Sequence, residues 1–95
     1  MTKYKKQTIV DFSDIFYFAE KSPFNIDWNT CNELFFDTIL TYKSTNNFYQ
    51  QEAEAEFNAY KNDPEYQNSD ICKAWEIINA FMIKENLKEM LVLND

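Results

Sequence analysis

The stretch S-D-I-C-K-A-W-E-I-I-N-A-F-M-I-K, Ser69 to Lys84, decides how the chain reads. At about 100° per residue on a helix, Ile71, Ala74, Trp75, Ile78, Phe81 and Met82 fall on one broad stripe. Ile77 flanks it on one side and Cys72 and Ile83 on the other, so the apolar arc covers roughly 240°. A surface helix needs only about 100°. The charged strip that remains is narrow: Lys73, Glu76 and Lys84. This helix is therefore expected to sit among several neighbours as the spine of the core, with Ser69 as its N-cap and Asp70 in its first turn.

Beyond Glu85 the stripe fails, because Leu87, Met90, Leu91 and Leu93 are rotated relative to Phe81 and Met82. The spacing predicts a break near Asn86 and a short C-terminal helix folding back. Upstream, Asn62-Asp63-Pro64-Glu65 reads as the turn that closes a helix over about 47–61. That helix carries one stripe of Tyr49, Ala53, Phe57 and Tyr60 and a narrower one of Phe48, Ala55 and Ala59. Before it, a helix running to about Lys43 takes its cap from Asp27 or Thr30, since Thr30-x-x-Glu33 has capping-box spacing. Trp28, Cys31, Leu34, Phe35, Ile39 and Tyr42 share one of its faces, and Phe36 and Leu40 form a separate pair on the other.

The first helix is expected to take Thr8 as its cap and Asp11 in its first turn. Its stripe of Ile9, Phe12, Ile15, Phe16 and Ala19 stops near Lys21, because Pro23 disfavours helix at Ser22. Met1–Gln7 reads as a flexible basic arm; Tyr4–Val10 offers an edge strand as the minor alternative. Left-handed caps fall to asparagine in a chain with no glycine, and Asn62 and Asn86 are placed for them. The expected fold is all-α: a single domain over 1–95, a compact small helical bundle of four main helices plus a short C-terminal helix.

Composition excludes much chemistry. Sixteen acids face nine lysines, giving a net charge of −7, and there is neither histidine nor arginine. Three of the lysines lie in the first six residues. Affinity for nucleic acid is built on clustered Lys and Arg, so direct nucleic acid binding is not expected. Without histidine there is no Ser–His or Cys–His nucleophile, and two cysteines alone make no zinc site. Without glycine no phosphate-cradling loop exists. The expectation is a non-enzymatic protein with no cofactor and no metal. No run of about 18 apolar residues spans a membrane, and no secretory leader is present, so a cytoplasmic location is expected. Heavy use of Asn, Lys, Ile, Phe and Tyr points to a low-GC genome, bacterial or phage.

What remains is charge and aromatic surplus. Six acids between Glu52 and Asp70 face only Lys61, and Tyr17-Phe18, Phe36, Phe48-Tyr49 and Tyr66 cannot all face one core, since helical neighbours point about 100° apart. Aromatics beside acids match the make-up of a protein hot spot. The expected function is that of a small acidic inhibitor which binds another protein with a basic surface. Its sharpest form is a phage protein blocking a nucleic-acid enzyme of host defence, of the anti-restriction or anti-CRISPR class, with carboxylates standing where phosphates would lie. The candidate partner-binding residues are Phe36, Leu40, Tyr49, Glu52, Glu56, Asp63, Glu65 and Tyr66. The alternative is a structural module that forms a homodimer or larger assembly through the surplus aromatics.

Overall fold

The computed structural model describes residues 8–42 and 47–93, with the side chains of 36–42, 47 and 93 outside that description. The elements in chain order are β1 (Thr8–Asp11), α1 (Phe12–Glu20), α2 (Trp28–Tyr42), β2 (Asn47–Tyr49), α3 (Gln50–Lys61), α4 (Asp70–Lys84) and β3 (Glu89–Leu93). Four helices thus accompany a three-stranded mixed sheet of order β1-β3-β2. The all-α expectation is overturned; the fold is α+β. The arm expected over 1–7 lies outside the described residues.

The spine reads as expected at its centre, but Ile71 is only half-buried and Ile83, expected in the apolar arc, is exposed. Along α4, Ala74, Trp75, Ile77, Ile78, Phe81 and Met82 are buried, and the helix packs against α1, α2 and α3. Ser69 Oγ accepts the Cys72 N–H at 3.3 Å, satisfying one of the orphan donors of the first turn. The charged strip is closed in part by an exposed Lys73–Glu76 pair at 3.0 Å. At the other end Asn86 adopts φ 57°. The Leu87 N–H then reaches the Met82 carbonyl at 2.9 Å and the Asn86 N–H the Ile83 carbonyl at 3.2 Å. That is the Schellman arrangement, with Leu87 and Met82 both buried beside it. Asn86 therefore does what its position promised. Asn62 does not: it is right-handed at φ −89°, and the second left-handed asparagine is Asn25, at φ 52° in the connector before α2.

After Asn86 the chain does not resume a helix. Glu89–Leu93 becomes the central strand, parallel to β1 and antiparallel to β2. Alternation decides this: Met90 and Val92 are fully buried, while Glu89 and Leu91, at the alternate positions, are partly exposed. The expected C-terminal helix is thus a strand, because its apolar residues serve a period of two against the inner face of a sheet. The first helix also starts later than the stripe suggested. Thr8-Ile9-Val10 is β-branched throughout and suits a strand, and α1 begins at Phe12, where the Asp11 N–H donates to Asp14 Oδ2 at 3.1 Å. Thr8 is therefore a strand residue, not a cap. Likewise Asn47–Tyr49 pairs with β3, and α3 begins only at Gln50. Asp27 caps α2, its Oδ1 accepting the Thr30 N–H at 2.8 Å, a bond that also holds the Asp27 carboxyl below its ordinary range.

Register sorts the sheet into two faces. Thr8, Met90 and Phe48 stand side by side across the three strands, as do Val10 and Val92. Met90, Phe48, Val10 and Val92 are buried, and the Phe48 ring meets Trp75 edge-on at 5.5 Å. The helices cover this face. The opposite face carries Ile9 beside Leu91, and Tyr49 beside Glu89. Ile9 is 62% exposed there and Tyr49 44%.

Candidate protein-docking surfaces

α3 shows how the acidic candidates are presented. Ala53 is buried, Phe57 and Tyr60 pack partly against the core, and this face leans on α4. Glu52 and Glu56, one turn apart, occupy the shoulder of that face and are half-buried rather than fully solvated. Ala55 and Ala59 are exposed, so the second packing stripe is absent: its third member, Phe48, is buried from β2 instead. Past the helix, Asp63 Oδ1 accepts the Glu65 N–H and its carbonyl the Tyr66 N–H, both at 2.9 Å. This compact turn sets Tyr66 edge-on against Tyr60, with ring centroids 5.6 Å apart.

The expected site therefore comes together only in part. Glu56, Tyr60, Asp63, Glu65 and Tyr66 share the C-terminal end of α3. Burial first, then the nearby Glu56 carboxylate and Tyr66, push the Tyr60 hydroxyl up from its ordinary pKa. Tyr49 and Glu52 lie toward the other end of the helix, Glu52 one turn and Tyr49 about 10 Å along the axis before Glu56 at 1.5 Å per residue. Phe36 and Leu40 are on α2, but their side chains lie outside the described residues.

Of the surplus aromatics, Phe48 is core and Phe18 is held between Phe24 and Phe81, with centroids 5.5 and 5.6 Å away. Tyr17 remains 56% exposed. Its ring meets Trp28 edge-on at 5.5 Å, and Trp28 meets Phe16 at 4.7 Å. Trp28, expected on the packed face of α2, is itself 42% exposed and bridges core and surface.

Neither cysteine is poised for chemistry. Both are free and buried. Desolvation, with Asp27 and Glu20 nearby, pushes the Cys31 thiol up to about 11, and desolvation followed by Glu76 raises Cys72. No group of three or more His, Cys, Asp or Glu among the described residues is arranged to hold a metal ion.

A feature the sequence did not disclose is a groove of about 490 Å³ bounded by β1, one side of α1 and the end of α4. Ile9, Tyr17 and Phe18 line it, Phe81 forms part of its floor, and Lys21 and Lys84 stand in its wall. The sequence signal for it was the β-branched run Thr8-Ile9-Val10, which marks a strand and hence an edge. A second groove, about 390 Å³, runs between α2, α3 and the start of α4 over Leu34, Phe57 and Cys72. No family model matches this chain, and searches of curated proteins and of solved structures return no match. No helix among the described residues is long and apolar enough to cross a membrane.

Proposed function

We propose that this chain is a non-enzymatic, cytoplasmic protein that binds and blocks another protein through the tyrosine-and-carboxylate end of α3. The observation that supports it is the Tyr60–Tyr66 ring pair with the Glu56 carboxylate near Tyr60 and with Asp63 and Glu65 in the turn that joins the two tyrosines. Tyrosines held by their neighbours bind at low entropic cost, and carboxylates around them select a basic partner and speed encounter. Surfaces that normally hold nucleic acid have that character, so a nucleic-acid enzyme, such as one a phage would need to silence, is the fitting target class.

Magnitude limits how literal the mimicry is. Duplex DNA presents one charge per about 1.7 Å of axis, whereas Glu52, Glu56, Asp63 and Glu65 are spread over about 20 Å of helix and turn. The ridge is a sparse stand-in, and the tyrosines supply the remaining affinity. The test is a variant neutralised at Glu52→Gln, Glu56→Gln, Asp63→Asn and Glu65→Gln, compared with the wild type in capturing partners from its native host. The expected outcome is an unchanged or slightly higher Tm, slower association, and competition by nucleic acid against the wild type. Unchanged capture with no competition would reduce the ridge to a solvated face.

The outer face of the sheet supports a second reading, assembly with further copies of the chain, because Ile9, Leu91 and Tyr49 are left uncovered there. Three strands about 4.8 Å apart and about four residues long present only about 200 Å², against about 800 Å² per partner in a standard interface. That face alone falls short of a stable dimer. Light scattering across a concentration series separates the two readings.

A further inference from the structure

Little fastens β3 to its own helix. Four residues, 85–88, join Lys84 at the end of α4 to Glu89, and the backbone contacts of the strand go mainly to β1 and β2. Its ladder partners are Thr8–Asp11 on one side and Asn47–Tyr49 on the other, both far away in sequence. Among the described residues β1 and β2 have no other partner in the sheet. With β3 withdrawn they leave a slot whose inner lining includes Val10 and Phe48. An occupant of that slot has to be apolar at alternate positions, parallel to β1 and antiparallel to β2. The Met90–Val92 alternation of β3 meets these conditions, and it meets them equally well from a second copy of the chain.

The hinge is short and strained. It turns on Asn86 at φ 57°, in a chain with no glycine. Left-handed backbone is disfavoured for any residue with a Cβ, and asparagine only tolerates it better than most. Opening the hinge relieves that strain without losing hydrogen bonds. In the closed chain the Leu87 N–H reaches the Met82 carbonyl and the Asn86 N–H the Ile83 carbonyl. If Asn86 turns right-handed and α4 runs on, the same two carbonyls are taken in the opposite order, Met82 by Asn86 and Ile83 by Leu87. Short hinges under strain favour exchange of an element between copies. Leu87 is buried and has to leave its site first, so exchange is slow in the folded chain and quick only while the sheet is forming.

From this we infer that two copies of the chain exchange β3, each strand completing the sheet of the other copy in the same registers. Both hinges are released in such a dimer, so the relief of strain counts twice. The joint between the copies is then made of core residues, Met90 and Val92 against Val10 and Phe48. It uses neither the uncovered outer face of the sheet nor the carboxylate end of α3, and the inference stands or falls independently of both.

The test refolds the full-length chain from urea at about 5 μM and at about 500 μM, then sizes both samples by chromatography with light scattering at one low concentration. A dimer is expected from the concentrated sample and should persist for hours after dilution, because each β3 has to leave a sheet before the copies part. Asn86→Ala strains the closed hinge further and should raise the dimer-to-monomer equilibrium constant about tenfold; Asn86→Gly removes the strain and should lower it about tenfold. The double change Ile9→Cys with Leu91→Cys, at paired positions on the outer face, separates exchange from side-by-side association. Cys31 and Cys72 stay buried and free beside it. Oxidised as the dimer and run denatured without reductant, this variant should migrate as two linked chains; oxidised as the monomer, as one. A dimer whose new disulfide closes within each chain would overturn the inference, as would equal dimer content in the alanine and glycine variants. Monomer alone from the concentrated refolding of the wild type would overturn it too.

Discussion

Cys31 shows what burial does to one functional group. It is fully buried on α2, with its thiol donating to the Ile26 carbonyl at 3.8 Å, and desolvation holds its pKa at about 11. A free cysteine titrates near 8.5, so the native thiol stays protonated where an unfolded one ionises. At pH 8, alkylation of Cys31 in the folded chain is expected to run about a hundredfold slower than that of free cysteine, or slower still. The same shift sets a direction for stability. A pKa raised in the folded state contributes stability that is fully present below the unfolded value and is lost as pH climbs through the folded one. Cys72 and Tyr60 are raised as well. The Tm is therefore expected to fall progressively as pH rises above about 8.5, and Cys31→Ala should flatten that fall. A Tm independent of pH between 7 and 10 would show that the thiol is not held protonated by the fold.

Among the elements, the sheet divides residues that look alike in sequence. Val92 and Ile9 are both β-branched, yet Val92 is fully buried on the inner face and Ile9 is 62% exposed on the outer. Val92→Asp should unfold the chain at ambient temperature, since it places a carboxylate in the core without a partner. Ile9→Asp should leave the Tm within a few degrees of the wild type. Circular dichroism melts of the two variants decide the register: similar losses for both would mean that the two faces are not as described. The same pair explains what was legible and what was not. α4 was readable because its fifteen residues repeat a helical period with few exceptions and are bounded by Ser69 and Asn86. β3 was not, because Leu87, Met90 and Leu91 fit a helical spacing while Met90 and Val92 fit an alternating one, and five residues cannot separate the two periods. β1 and β2 were hidden for another reason. Each passes straight into a helix, at Asp11–Phe12 and Tyr49–Gln50, with no turn residue to mark the change, so the helical stripe ran on into the strand. The acidic end of α3 was legible from charge and spacing. The groove was not, since it exists only once β1 has become an edge.

At the scale of the whole molecule, the parallel pairing of β1 with β3 ties Thr8 to Met90, and the strand in the middle of the sheet is the last element described. The order of synthesis then matters. A nascent chain has made β1, β2 and the four described helices before the strand that joins them leaves the ribosome, and among the described residues neither early strand has another partner in the sheet. Non-local pairing of this kind waits for loop closure and is slow compared with helix formation. A chain halted at Lys88 is expected to hold helices without a sheet and to be cut readily by protease within them, whereas one extended through Leu93 and clear of the exit tunnel should resist. Protease resistance already present at Lys88 would mean that the helices stand alone. Until β3 arrives, the apolar undersides of β1 and β2 are open to other chains, so the interval between making Tyr49 and making Leu93 is when this protein most needs a chaperone.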